Sequence, residues 1–299
     1  MKKFLHCGLV LLCMCFIFAC HGRHCHGAES QNFKVLASTF PIYLFTANVC
    51  KDVKNVSVEL LIPAAAGCPH DFALRPADML KLANASVLVI NGAGLEDFLL
   101  KPLESLSKTP LVIDAGLNVK LLPGVEQDHH GHDNPHIFAG PAQASLMVLN
   151  IATGLARFDA LNADQYMANA EKYAESLSNL SGQLQKVGQQ AKNPKIALDH
   201  DALAYLAENA NLHVSAIFEN VDSVARVARL KKELEADKPA LLAGDSQYPS
   251  RMLKTLAEEV KIPFELLDPC ANGPENPPLD YYNQVMKKNL EILEKAFDK

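Results

Sequence analysis

Nine residues, Asp128 to His136, carry four imidazoles (His129, His130, His132, His136) and two carboxylates (Asp128, Asp133). The run has no apolar face to bury, and imidazole is the commonest side-chain ligand of borderline-soft divalent cations. It reads either as a metal-binding tract or as a polar surface loop that accumulated histidines. Three more residues decide between these. His70 follows a strand expected to end at Ile62, His200 follows one expected to end at Asp199, and Asp268 closes the last expected strand. In open α/β sheets the ligand crevice lies beyond the carboxyl ends of the strands, so topology delivers these three groups to one edge. His136, just ahead of a helix opening near Pro141, joins them from its loop. Three neutral imidazoles and one carboxylate form a four-ligand set that suits Zn2+, at about 2.0–2.2 Å from each donor. Taken singly, each residue has an ordinary reading: a hydrogen-bonded histidine, or an aspartate forming a turn before proline. Their joint placement carries the chemistry. His213, at a loop start without such a context, reads as structural.

The elements that must position these groups are short β-branched runs alternating with amphipathic segments, the pattern of βα units around a mostly parallel sheet. Strands are expected at 34–38, 56–62, 87–91 and 111–113, then at 195–199, 214–218, 239–243 and 263–268, four in each half. Pro41 and Pro76 suit first-turn positions of helices. From Asn162 to Lys192 the apolar residues Tyr166, Ala170, Tyr173, Leu177, Leu180, Leu184 and Val187 recur at steps of four and three, one stripe along a helix of about 45 Å. Asn162 with Gln165 reads as its capping box, and Asn193-Pro194 stops it. The stripe fits a backbone helix packed on both halves better than a coiled-coil dimer, because its polar face lacks organised e/g charge pairs.

With 49% hydrophobic and 21% charged residues the chain is globular, and with a formal charge of −6 and no Lys/Arg cluster it lacks the footprint of a nucleic-acid binder. Lys2 and Lys3 precede an uncharged stretch, Phe4 to Ala19, of 16 residues, an export signal too short to span a membrane. Ile17-Phe18-Ala19-Cys20 resembles a lipobox, with Cys20 the lipidated mature N-terminus; a cut after Ala28 is the alternative. Loss of residues 1–19 takes the charge from −6 to −8. The expected mature protein is exported and tethered by lipid.

The residues above bring a resemblance. Thr39-Phe40-Pro41-Ile42-Tyr43, Pro69-His70-Asp71 with Arg75-Pro76-Ala77-Asp78, Asn91-Gly92-Ala93-Gly94-Leu95-Glu96, Asn134-Pro135-His136-Ile137, His200-Asp201-Ala202 and Leu267-Asp268-Pro269 occur in order over nearly the whole mature chain. In these the chain resembles the periplasmic metal-binding lipoproteins of bacterial zinc and manganese ABC importers, of the zinc-uptake type. The resemblance implies an α/β fold of two (β/α) lobes, each with a four-stranded mostly parallel sheet, joined by one long helix, with metal in the interlobe cleft. The implied divisions are signal 1–19, tether 20–32, N-terminal lobe 33–160 with a His-rich loop 127–135, linking helix 161–193 and C-terminal lobe 194–299. The ligands carried over are His70, His136, His200 and Asp268. A third imidazole at His200, where manganese-type members place a carboxylate, favours Zn2+ over Mn2+. The loop residues Asp128, His129, His130, His132 and Asp133 are expected to bind a second ion weakly or to gather zinc. The implied partner is an inner-membrane ABC permease, and the implied state a monomer. The chain departs from the family at Cys68, at Asp245-Ser246 where Glu-Pro is common, and after Phe218, where a proline-containing motif is missing.

Cys68 and Cys270 each lie two residues from an implied ligand. They are a disulfide across the cleft, a thiolate pair on the metal, or unrelated small buried residues. Gly92-Ala93-Gly94 invites a dinucleotide reading, but it lacks the third glycine, and Glu96 and Asp97 would repel a pyrophosphate. A zinc hydrolase would need an open coordination position and a general base, whereas four protein ligands close the shell and no HExxH motif is present. The expected function is therefore capture, with a manganese- or iron-type binder of the same family, or a metal-dependent hydrolase, as the alternatives.

Overall fold

The computed structural model describes residues 32–66, 72–124, 133–218 and 224–298. The signal, Cys20, His70, Cys68, Asp128, His129, His130 and His132 therefore lie outside the described residues.

All eight expected strands form. In the first half they are β1 (Phe33–Ala37), β2 (Val56–Leu60), β3 (Val87–Ile90) and β4 (Leu111–Asp114), with helices α1 (Phe40–Val49), α2 (Pro76–Asn84), α3 (Leu100–Glu104) and α4 (Pro141–Phe158). The second half contains β5 (Lys195–Leu198), α6 (Ala204–Asn209), β6 (His213–Ile217), α7 (Val224–Asp237), β7 (Leu241–Asp245), α8 (Arg251–Val260), β8 (Phe264–Leu267) and α9 (Tyr281–Phe297). Between the halves runs α5 (Ala163–Gln190), 28 residues long. Every strand pair is parallel, and the two sheets share one order, β2-β1-β3-β4 and β6-β5-β7-β8. The seventh strand starts two residues later than expected, at Leu241, and runs on to Asp245, which pairs with Leu267. Pro239 has no N–H to give a ladder, so the strand begins after it.

Alternation along the strands divides the core into three. Leu36, Leu61 and Leu88 face outward from the first sheet, and Leu82 of α2 joins that outer layer. Ala197 and Leu242 face the outer layer of the second sheet with Leu230, Leu234, Leu253 and Leu256 of α7 and α8. The inner faces, Val35, Val87 and Val89 of one sheet and Ile196, Leu198, Leu241 and Ala243 of the other, belong to a single cluster with α1, α4, α5, α6 and α9. The two halves thus share their main core. Parallel strands buried on both faces need such cover.

The apolar stripe of α5 is buried along its whole length, Tyr166, Ala170 and Leu180 included, so it is consumed within the chain. Its predicted capping box does not form. Asn162 donates its amide to Asp159 Oδ2 at 2.7 Å, and Gln165 turns to Asn169 at 3.0 Å. A 3-10 turn over Ala160–Asn162 precedes the helix, and Asp159, which also accepts from the Tyr166 hydroxyl at 3.0 Å, takes the role of the anchor. His213 opens β6 beside Pro194, at the amino end of the second sheet, opposite the predicted site. Among the described residues, no helix is long and apolar enough to cross a membrane.

Candidate metal centre

His136 sits on the loop that enters α4. Pro135 restricts Asn134 to extended backbone, and the loop is held from two directions. From the first half, Asn91 at the end of β3 donates its side-chain amide to the Pro135 carbonyl at 2.9 Å. From the second half, the Tyr205 hydroxyl donates to the Asn134 carbonyl at 2.7 Å and accepts the Leu122 N–H at 2.9 Å. The ring itself is 3% exposed, and its Nδ1 lies 3.1 Å from Asp201 Oδ1 and 3.0 Å from Asn134 Oδ1.

His200 leaves β5 two residues after Leu198 and caps the short turn Asp201–Leu203, its Nδ1 accepting the Ala202 N–H at 3.3 Å. Asp245 Oδ2, from the end of β7, stands 3.7 Å from the same nitrogen. The His136 and His200 rings face each other with centroids 5.4 Å apart and planes at 63°. Two imidazoles sharing one tetrahedral Zn2+ at about 2.0–2.1 Å per Zn–N bond place their centroids about 5 Å apart. The pair therefore has the spacing of a shared ion.

Asp268 directly follows β8, which ends one residue earlier than expected, at Leu267. An amide clasp from α9 fixes its backbone: Asn289 Oδ1 accepts the Asp268 N–H at 3.0 Å and Asn289 Nδ2 donates to the Asp268 carbonyl at 2.8 Å. Its Oδ1 accepts from Cys270 N at 2.7 Å and Gln247 Nε2 at 3.1 Å. Cys270 makes that turn with φ +64°, in the left-handed region that non-glycine residues seldom enter. Gln247 N in turn donates to Asp245 Oδ1 at 2.8 Å. Asp268, Gln247, Asp245 and His200 are thus linked along one sheet edge. His136 and His200 are brought together, but among the described residues no three His, Cys, Asp or Glu side chains gather as one metal-holding group. His70 is the predicted ligand outside them.

The glycine turn is occupied by its own carboxylate. Glu96 accepts from the Ser38 hydroxyl at 2.6 Å and from the N–H groups of Asn91 and Gly92 at 2.7 and 3.2 Å. Burial pushes its pKa from the ordinary 4.5 up to about 7, against those hydrogen bonds and with help from nearby Asp114. Gly92 has φ +81°, and a Cβ there would run into the Asp114 carboxylate. The turn is structural, as its sequence implies. Cys270 is a buried free thiol, and burial, then the Asp268 charge, holds it well above the ordinary thiol range. At the base of the His-rich loop, Pro123 and Asp133 form an antiparallel bridge, and Asn134 N donates to the Leu122 carbonyl at 2.8 Å. Asp133 is exposed at that neck.

Sequence reasoning named His136, His200 and Asp268 but missed the groups that orient them: Asp201, Asn134, Asp245, Gln247 and Asn289. Only the adjacency of Asp201 to His200 and of Asn134 to His136 was visible in advance.

Two parallel sheets bridged by one long helix, with paired imidazoles where their carboxyl ends meet, define the helix-bridged class of solute-binding proteins. The chain belongs to the family described as zinc-uptake complex component A, periplasmic, whose model matches residues 35–296. It is 27% identical over 307 residues to the zinc-binding lipoprotein AdcA of Streptococcus pneumoniae, covering 97% of this chain and 60% of that relative. The chain thus spans about 60% of the length of that relative. It is also 26% identical over 310 residues to the high-affinity zinc uptake system protein ZnuA of Bacillus subtilis, covering 96% of each. Among solved structures it resembles the solute-binding protein FpvC of Pseudomonas aeruginosa in complex with Mn2+, with a TM-score of 0.78 and 26% identity over 90% of this chain and 99% of that one.

Proposed function

We propose that this protein captures Zn2+ outside the cytoplasmic membrane and hands it to an ABC importer, with zinc as cargo and no chemical turnover. The observation that carries this reading is the His136–His200 pair, 5.4 Å apart between ring centroids, at the edge that also bears Asp268. His70, between β2 and α2 in the chain, completes the set as the fourth ligand. Four protein donors leave no open position for an activated water, which is the reason capture is preferred to hydrolysis. Three imidazoles favour Zn2+ over Mn2+. Names of the relatives support zinc, while the Mn2+ complex of FpvC keeps manganese as the competing cargo.

On this reading the ion ties the halves together across a site whose main core is already shared, so the motion is small. The N-terminal signal delivers the chain to the periplasm or cell surface, where a lipid on Cys20 tethers it as a monomer beside the permease. Asp128, His129, His130, His132 and Asp133 act as a weak secondary site. Cys68 and Cys270 pair on oxidation; alkylation of both thiols in full in the exported protein would end that idea.

The test is metal analysis of protein purified without a His tag, followed by chelator competition. One tightly held zinc per chain, lost in His70→Ala, is the expected result. Tight manganese with weak zinc would overturn the cargo, and full zinc affinity in His70→Ala would overturn the ligand set.

A further inference from the structure

We propose that Asp201, a residue of the second half, is the positioning residue for His136, so that His136 and His200 stand as a preset pair before any metal arrives. The inference rests on the zinc-capture reading for its purpose, but its geometry is independent of metal. Asp201 is 1% exposed and places Oδ1 3.1 Å from His136 Nδ1. Asn134 presents a second oxygen to the same nitrogen at 3.0 Å. The orientation of that amide is fixed, because its Oδ1 accepts the His136 N–H at 2.9 Å while its Nδ2 donates to the Asp201 carbonyl at 2.8 Å.

Two acceptor oxygens, one carboxylate and one amide carbonyl, converge on Nδ1. The Asn134 oxygen makes the hydrogen bond and the Asp201 carboxylate stands beside it at ion-pair distance; two oxygen lone pairs against one ring nitrogen favour a proton on Nδ1, which leaves the lone pair on Nε2, the form a metal ligand requires. The tautomer of a ligand on a first-half loop is thus set by a side chain of the second half. Asp201 also follows His200 directly in the chain, so one short turn supplies a ligand and orients another. Tyr205, at the start of α6, fastens the same loop through the Asn134 carbonyl at 2.7 Å. His136 is thus tied to the second half as well as to the first, to which its chain position assigns it.

Long-range 1H–15N correlation spectra of metal-free, histidine-labelled protein report which ring nitrogen is protonated and how strongly that proton is held. His136 is expected as the Nδ1–H form, with its ring proton shifted far downfield by the carboxylate. In Asp201→Ala that proton moves upfield and zinc affinity falls about 10- to 100-fold, the usual cost of losing a group that orients a metal-bound histidine. Asp201→Asn, which keeps an acceptor oxygen, restores much of the affinity and the Nδ1–H form without the carboxylate shift. An Nε2–H His136 in the metal-free wild type would overturn the proposal, as would an Asp201→Ala protein with unchanged ring proton and zinc affinity. If the alanine variant does not fold, the wild-type spectrum and the asparagine variant decide. Failure of the wild type to bind zinc would count against the capture reading, whereas the tautomer spectrum judges the positioning alone.

Discussion

His136 and His200 face each other across one gap, yet their Nδ1 atoms meet opposite surroundings. His136 is 3% exposed with oxygen acceptors at 3.0 and 3.1 Å. His200 is 30% exposed, and its Nδ1 accepts a backbone N–H at 3.3 Å while the Asp245 carboxylate waits at 3.7 Å. To offer Nε2 to a metal, His200 must release the Ala202 N–H and donate to Asp245 instead. On the zinc-capture reading, one histidine is set in advance and the other would be set by binding. The difference teaches that two histidines of one candidate site can be held to different degrees: the buried imidazole is fixed by its neighbours, and the partly exposed one keeps a choice of partners.

The comparison breaks most readily at the ligands themselves. His136→Ala is expected to lower zinc affinity by about a thousandfold or more, and His200→Ala by about a hundredfold. Both remove a donor to the metal, but only the first removes one that costs nothing to rearrange. Competition with chelators of graded strength measures both, and a reversed ranking would break the contrast.

Next in size is an effect on the locked side, which also rests on the first half through Asn91 and Glu96. The folded pKa of Glu96, about 7, lies above its ordinary 4.5, so the native state binds the proton more tightly. Its contribution to stability is full below about pH 4.5 and is lost as pH rises through about 7, by up to about 3 kcal/mol. Urea unfolding of the metal-free protein across that window should show stability falling with pH, and Glu96→Gln should flatten that component. A Gln variant with the wild-type slope would place the proton elsewhere.

A smaller change is expected at Asp245→Asn. It weakens the acceptor that His200 needs, and zinc affinity should fall about tenfold with the His136 ring signals unmoved. Disturbance of His136 in that variant would mean the two histidines are not independently set. The smallest effect belongs to deletion of 128–132, which spares Asp133 and its bridge to Pro123 and should leave the tight site at wild-type affinity and lower only the stoichiometry seen by calorimetry. Loss of the tight site would show that the loop reaches into it.

The strands were legible because β-branched runs bounded by Pro, Gly and Asn leave few alternatives, and the places of His200 and Asp268 were legible because each lies within two residues of a strand's end. Partners that hold the ligands were not. Asp201 meets Asn134 across 67 positions of sequence, a separation no local pattern reports. The capping box at Asn162 failed for a local reason, since Asp159, three residues upstream, takes both the Asn162 backbone N–H, on its carbonyl at 3.2 Å, and the side-chain amide, on its carboxylate. Asp245 read as a departure from a family pattern, and its position beside His200 gives it a use there.

The bridge between Pro123 and Asp133 has a practical consequence. It joins the chain on the two sides of residues 125–132 before His136 is reached, so the turn that carries His136 is closed by its own bonds. Because doubling the length of chain between two joined ends costs only about 0.6 kcal/mol in closure entropy, the bridge is a natural graft point. Longer or shorter segments, or a reporter module, inserted between the two bridged residues are expected to leave His136 in place.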